Sequence, residues 1–260
     1  MKTRLADLTW PEAKAIASER VLIVPVGSTE QHGPHLPVGT DTLITDALCE
    51  ALIQLRPGVA LLAPTINFSS SGEHSDFVGT ISIGQGALEL LLVELARSAD
   101  AFGAVAFISA HGGNAHVLAR VARLLAKEGR CAFVWWPRNL PALENESAPF
   151  SNGAVSAPKT VDLHAGRSET SMMLALKPDL VRFDAYAVGL VDAGGDLLTE
   201  LKEKGVAGVS PNGVLGDPFG AGAPEGDAIL ARLQSDLCGA FDHFVAEQRI
   251  GACASKEASL

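Results

Sequence analysis

The chain has 260 residues, of which 47% are hydrophobic and 19% are charged, and its formal net charge is −10 at pH 7. This length and hydrophobic content are enough for one sizeable core, and no shift in composition marks a linker. We therefore expect a single domain over residues 1–250 and a flexible tail over 251–260. The acidic balance, without a concentrated basic patch, excludes nucleic acid and anionic membrane surfaces as expected partners.

The search for targeting segments and the spacing of the cysteines indicate the cellular compartment in which the protein is expected. The first residues carry charges and no long apolar segment, and no apolar run reaches the roughly 20 residues of a membrane-spanning helix. Cys49, Cys131, Cys238 and Cys253 are scattered and form no C-x-x-C pair. This usage is typical of thiols in a reducing compartment, so we expect a cytoplasmic protein.

Hydrophobic patterning predicts strands that alternate with helices over the first half of the chain. The pattern predicts strands at 22–26, 59–63, 104–109 and 131–136, and helices within 6–19, after Asp41, and at 84–102 and 114–127. The alternation predicts an α/β fold of three layers, α/β/α, with a mostly parallel sheet and helices on both faces. Residues 137–159, rich in Pro, Asn, Ser and Gly, are interpreted as a surface excursion, and residues 224–248 as a final helix.

The loop that follows the first predicted strand carries Glu30, His32 and Asp41, with prolines and glycines that hold its backbone in turns. Two carboxylates and an imidazole at the end of a buried strand suit a divalent metal such as Zn²⁺, Mn²⁺ or Fe²⁺. The alternative is a polar loop in which Glu30 and His32 make only local hydrogen bonds and Asp41 caps the following helix.

Two further polar clusters follow later in the chain. His111, in Ser-Ala-His-Gly-Gly-Asn, comes directly after the strand predicted at 104–109, beside glycines that let another group approach the backbone closely. As a bare pattern this segment could equally be an ordinary turn. Glu169, in Asp-Leu-His-Ala-Gly-Arg-Ser-Glu-Thr-Ser, is predicted to open a helix over 170–176, where the helix dipole favours an ionised carboxylate. Its alternative role is that of a helix-capping residue.

The segment Gly-Ser-Thr-Glu-Gln-His-Gly-Pro-His-Leu-Pro, followed by Thr-Asp, resembles the signature of the creatininase (creatinine amidohydrolase) family, whose members hydrolyse small amides at a two-metal site. The resemblance implies two divalent metal ions, Fe²⁺ or Zn²⁺ with Mn²⁺ as a further candidate, and Asp41 as a bridging ligand. The implied metal ligands are Glu30, His32, Asp41, His111 and Glu169.

The same resemblance implies roles for two more histidines. His164, in a segment similar to the family's His-Ala-Gly-x-x-Glu-Thr-Ser, is the implied catalytic residue for proton transfer, and Asp162 is a candidate to orient it. His74, in a motif similar to Gly-x-His-x-x-Phe-x-Gly-Thr, is the implied substrate-binding residue, with loop stabilisation as its alternative. Gly113 stands where creatininase has a ligating glutamate. This departure counts against creatinine hydrolysis and requires a carboxylate from elsewhere, for which Glu169 is the candidate.

Further stretches, above all Gly-Val-Ser-Pro-Asn-Gly-Val-Leu-Gly-Asp-Pro at 208–218, are similar to the branch of the family that acts in mycofactocin biosynthesis. This resemblance covers most of the chain. It implies a metal-dependent peptidase that cleaves a modified precursor peptide and releases its C-terminal Val-Tyr-derived dipeptide. It also implies a homo-oligomer, with the hexamer as the form that family members commonly adopt.

Two other functions stay open at this point. A sister amidohydrolase that acts on a small cyclic amide or a formamide would keep the ligands and differ in its pocket. A non-catalytic, metal-free scaffold would keep the fold alone. Metal analysis of the purified protein separates the scaffold from both enzymes.

Overall fold

The computed structural model describes residues 2–138, 161–192 and 197–250. The tail predicted at 251–260 lies outside the described residues, as does nearly all of the excursion predicted at 137–159. The helices are α1 (Trp10–Ile16), α2 (Thr40–Leu55), α3 (Gly84–Ser98), α4 (Ala115–Lys127), α5 (Arg167–Leu176), α6 (Leu197–Val209) and α7 (Ala223–Gln248); the strands are β1 (Val21–Pro25), β2 (Ala60–Leu62), β3 (Ala104–Ile108) and β4 (Ala132–Trp135).

The four strands form one parallel sheet in the order β2-β1-β3-β4. Val21 pairs with both Ala60 and Ala104, and Val105 pairs with Ala132. Every residue of β1, β2 and β3 is buried, as expected for a parallel sheet that helices cover on both sides. The predicted α/β fold with a parallel sheet is confirmed.

Alternate residues of the strands enter two separate hydrophobic cores. Ile23 of β1 packs in the core that contains α2, α5 and α7, whereas its neighbour Leu22 packs in the core that contains α3 and α4. The same alternation separates Ala106 from Phe107 in β3. Helices therefore cover both faces of the sheet, which confirms the three predicted layers.

Some predicted elements differ from the observed ones. α1 covers only part of residues 6–19, and α5 begins at Arg167, so that Glu169 lies in its first turn instead of preceding it. α6 had no counterpart in the sequence analysis. It contains Gly205 in a left-handed conformation (φ 66°), and such an interruption weakens the helical pattern. In the part of the chain that the structure describes, no helix is long and apolar enough to cross a membrane.

The fold brings the polar loops to one edge of the sheet. The loops that follow β1, β2 and β3 all leave from the carboxyl ends of parallel strands, so they lie side by side. α2 begins against the first of these loops, because Gly27 has no side chain. A Cβ at Gly27 would lie 2.2 Å from Oγ1 of Thr42, which donates a hydrogen bond to the carbonyl of Ser28 at 2.9 Å. This contact places the first turn of α2 beside the loop.

Candidate metal centre

The five side chains predicted as metal ligands converge at this edge of the sheet. Asp41 lies between two imidazoles: its Oδ1 is 3.6 Å from Nε2 of His32, and its Oδ2 is 3.1 Å from Nδ1 of His111. Glu169 Oε2 lies 3.8 Å from Nε2 of His32, and Glu30 Oε2 lies 3.3 Å from Nε2 of His111. One carboxylate thus faces both histidines, which is the arrangement that a bridging ligand requires.

The local structure decides between the alternatives for two of these residues. Asp41 does not cap α2, because the N-cap position is occupied by Gly39 and Asp41 is the second residue of the helix. Its carboxylate is free to face the site from a position where the helix dipole favours an anion. Glu169 lies in the first turn of α5, where its Oε2 faces His32 and also accepts a hydrogen bond from the backbone N–H of Ala165 at 2.6 Å.

Burial and mutual repulsion shape the charges of this cluster. Burial raises the pKa of Glu30 and that of Glu169 to about 7 in each case. Burial also favours the neutral form of Asp41, but the imidazoles of His111 and His32 outweigh it and hold the pKa of Asp41 well below its usual range. Asp41 is therefore kept ionised by the positive charge of the two histidines, whereas burial favours the neutral form of Glu30 and Glu169.

The donor set fits a divalent cation. Among the described residues, Glu30 Oε1, His32 Nε2 and Asp41 Oδ2 are buried side-chain atoms that lack a hydrogen-bond partner. Buried polar atoms are seldom left unsatisfied, and divalent cations bound among these side chains would satisfy His32 Nε2 and Asp41 Oδ2. Oxygen and imidazole donors are the ligands preferred by Zn²⁺, Mn²⁺ and Fe²⁺.

Among the described residues, three groups of side chains have the spacing to hold a metal ion, with ligand atoms that lie within 4.8 Å of one another. They are Glu30 with Asp41 and His111, His32 with His164 and Glu169, and Glu30 with His74 and His164. The groups overlap, so the whole cluster is one continuous site.

The two remaining predicted site residues, His74 and His164, are buried in the same cluster. The ring of His164 lies 4.2 Å from that of His32 and 4.4 Å from that of His74. Asp162 does not contact His164 in the described hydrogen bonds; its Oδ2 accepts from the backbone N–H and the hydroxyl of Ser168, at 3.2 and 2.6 Å, at the start of α5. Nε2 of His164 instead forms a hydrogen bond with the main-chain carbonyl of Gln31 at 2.7 Å.

Sequence reasoning missed Gln31, whose side chain lies between His74 and His164. Its position between two predicted ligands was the available signal. It also missed His35, which is buried and hydrogen bonded through Nε2 to the hydroxyl of Thr170 at 2.9 Å.

Gly113 lies directly against the ring of His111. A Cβ at this position would be 2.4 Å from His111 Nε2 and 2.9 Å from Oε1 of Glu73. In this conformation the chain has no room for a side chain at residue 113, and the carboxylate of Glu169 faces His32 from α5 instead.

Comparisons with known proteins identify the family of this chain. A sequence model of the family described as creatinine amidohydrolase matches residues 6–241. A mycofactocin precursor peptide peptidase of Mycobacterium ulcerans is 42% identical over 237 residues, covering 88% of this chain and 83% of that protein. A creatinine amidohydrolase of Pseudomonas putida is 30% identical over 201 residues, covering 69% of this chain and 74% of that protein.

Solved creatininases share the fold. A mutant creatininase described as of Zn-Zn type has a TM-score of 0.72 and 25% identity, over 95% of this chain and 98% of that chain. A creatininase described as a Mn form has a TM-score of 0.73 and 25% identity, over 95% and 99%. The family match over most of the length, the identity to its members and the shared fold together establish that the chain belongs to the creatininase family.

Proposed function

We propose that this protein is a metal-dependent hydrolase that cleaves a C–N bond of the modified mycofactocin precursor peptide and releases its C-terminal Val-Tyr-derived dipeptide. The observation that carries the proposed metal chemistry is Asp41, whose two oxygens face different imidazoles in a buried cluster with unpartnered donor atoms. The proposed substrate is supported by the 42% identity to a mycofactocin precursor peptide peptidase.

In this proposal, Glu30, Asp41 and His111 would hold one divalent ion, and His32, Asp41 and Glu169 would hold the other. The ions would be Fe²⁺ or Zn²⁺, or else Mn²⁺. When bound, such ions supply an ionised water near neutral pH and polarise the carbonyl of the scissile amide.

The chain itself is proposed to form one domain over residues 1–250 and to work as a cytoplasmic homo-oligomer, with the hexamer as the first form to test.

The remaining residues orient the peptide and move protons. His164 turns its Nδ1 toward the cluster, 3.7 Å from Oε1 of Glu30, while its Nε2 is bonded to the carbonyl of Gln31. Nδ1 carries no proton in the neutral ring, so it would take the proton lost by the attacking water and pass it to the leaving amine. His74, with Nε2 3.5 Å from the same Glu30 oxygen, is the proposed contact for the substrate. Burial of both rings keeps bulk water away from the transferred proton.

The proposal is tested by incubating the metal-loaded protein with the modified precursor peptide, with creatinine and with a formamide, and by identifying the products by mass spectrometry. We expect the peptide to be cut near its C-terminus. Hydrolysis of creatinine or the formamide alone would favour the sister amidohydrolase. A protein that binds no metal and turns over none of the three would be the scaffold.

Zinc binding is expected to release protons. In the metal-free protein, burial lowers the pKa of His32, but Asp41, Glu169 and Glu30 outweigh it and raise this pKa to about 10. For His111, burial also opposes protonation, yet Glu30 and Asp41 raise its pKa well above its usual value. Both imidazoles are thus protonated at pH 7 and must lose a proton to bind metal, and Glu30 and Glu169, each with a pKa of about 7, are partly protonated as well. We therefore expect release of about three protons per chain.

The measurement is calorimetry of zinc binding in buffers of different ionisation enthalpy. Because protons compete with zinc for His32 and His111, the affinity should fall as the pH is lowered from 8 to 6. Binding without proton release, at an affinity independent of pH, would contradict the assigned histidine ligands.

A methyl group at residue 113 is expected to weaken metal binding. The Cβ of Gly113→Ala would meet the ring of His111, which is held by its hydrogen bond to the carbonyl of Ser70 and cannot easily yield. Disturbing the orientation of a ligand typically costs 10- to 100-fold in metal affinity, and we expect a loss of about that size. Competition with a chromophoric chelator measures it. Gly112→Ala is the matched control, because a Cβ there meets nothing within 4 Å; equal affinities in the two variants would refute the expectation.

A further inference from the structure

The side-chain amide of Gln31 has a single orientation that its neighbours permit. Its Oε1 accepts a hydrogen bond from the backbone N–H of Gly33 at 2.8 Å. Its Nε2 lies 3.0 Å from the carbonyl oxygen of Gly213, an atom that can only accept. Both ends of the amide are therefore assigned, and the NH₂ group points into the histidine cluster.

This orientation determines the role of His74. Gln31 Nε2 lies 2.8 Å from His74 Nδ1, and an amide nitrogen can only donate. Nδ1 of His74 is thus an acceptor and carries no proton, so the ring carries its proton on Nε2. Nε2 lies 3.5 Å from Oε1 of Glu30. His74 accordingly presents an N–H donor to the cluster, not a lone pair.

The main chain of Gln31 acts on His164 as a hydrogen-bond acceptor. Its carbonyl oxygen lies 2.7 Å from Nε2 of His164 and can only accept, so this nitrogen carries a proton. Gln31 Nε2 is also 3.1 Å from the same ring nitrogen, but its two hydrogens are directed to Gly213 and His74. His164 is thereby turned with Nδ1 toward Glu30.

Gly213 leaves room for this amide. Its φ of +78° is in the left-handed region, and a Cβ there would lie 2.0 Å from Oε1 of Gln31. The segment around Gly213 contains none of the proposed metal ligands. It therefore shapes the space that the side-chain amide of Gln31 occupies. The close approach of the Gln31 amide explains why a glycine occupies position 213 in the stretch 208–218.

We propose that Gln31 is a positioning residue: its side-chain amide holds His74 as an Nε2–H donor, and its main-chain carbonyl holds His164 with Nδ1 toward the site. His74 is then a donor for an acceptor oxygen of the substrate, and the group of Glu30, His74 and His164 does not bind a third ion. The inference deepens the proposed function, because it concerns the same site, but its test requires no turnover.

The test is nitrogen NMR of the full chain with ¹⁵N-labelled histidine, zinc-loaded and metal-free, in which long-range correlations identify the protonated nitrogen of each ring. In the wild type, His74 is expected to carry its proton on Nε2. In Gln31→Glu a carboxylate, which can only accept, replaces the donor, so His74 should become protonated on Nδ1. His164 should keep its Nε2 proton, because its partner is a main-chain carbonyl. Gln85→Glu, on the exposed face of α3, is the matched control and should leave both rings unchanged.

Two NMR outcomes overturn the proposal: a wild-type His74 protonated on Nδ1 alone, or a His74 pattern that is identical in Gln31→Glu and the wild type. If Gln31→Glu does not fold, the wild-type spectrum decides by itself. A zinc content of three ions per chain in the wild type would also refute it, since His74 would then be a ligand. If the NMR pattern is as expected but the precursor peptide is not cleaved, the proposed function fails and this inference stands.

Discussion

Replacing Asp41 with asparagine is expected to reduce turnover of the precursor peptide by about 10³-fold or more, equivalent to ~4 kcal/mol of transition-state stabilisation. The reason is geometric. Among the described residues, Asp41 alone faces both His32 and His111 with separate oxygens, so the amide removes charge from both halves of the site at once. We also expect the bound metal, measured by elemental analysis after gel filtration, to fall well below that of the wild type.

Asp46→Asn is the matched control. It makes the same substitution in the same helix, but Asp46 accepts a hydrogen bond from Thr65, at 2.6 Å, and is absent from the candidate metal groups. Asparagine keeps an acceptor oxygen for that bond, so activity and metal content should stay near wild type. Circular dichroism of both variants tests whether the fold persists. Full activity of Asp41→Asn would eliminate the proposed two-metal site.

The second large effect is expected at His164. Replacing it with alanine removes the nitrogen proposed to protonate the leaving amine, and loss of a general acid costs about 10²- to 10⁴-fold in rate. The effect should appear in kcat more than in KM, because the proposed proton transfer belongs to the chemical step. The measurement is the hydrolysis rate of the precursor peptide under saturating substrate.

Metal content separates two explanations of this loss. His164 also belongs to a group with His32 and Glu169 that can hold an ion, so its removal could act through the metal. If His164 transfers protons, His164→Ala should retain the wild-type metal content and lose only rate. A drop of one ion per chain would instead make it a ligand. His116→Ala, on the exposed face of α4, controls for the loss of a histidine as such and should change neither quantity.

The sheet was readable from the sequence because its strands are short apolar runs bounded by turn residues, and the helices between them repeat apolar residues on one face. β1 and β3 were each located to within a residue. α6 was not, since Gly205 interrupts its helical pattern. Boundaries such as the start of α5 were also missed, because a helix end depends on local hydrogen bonds that composition does not reveal. One example is the pair of bonds from Ser168 to Asp162.

The sequence by itself determined the candidate residues for the chemistry, because Glu30, His32 and Asp41 lie close together after a buried strand and their segment resembles a long family signature. Only the tertiary structure decided which atoms face one another. Parallel strands bring their carboxyl ends to one edge, so distant segments meet there, and the hydrogen bonds that orient each ring come from other segments. Spacing along the chain therefore suggested Asp162 as the partner of His164, whereas the folded molecule supplies the carbonyl of Gln31.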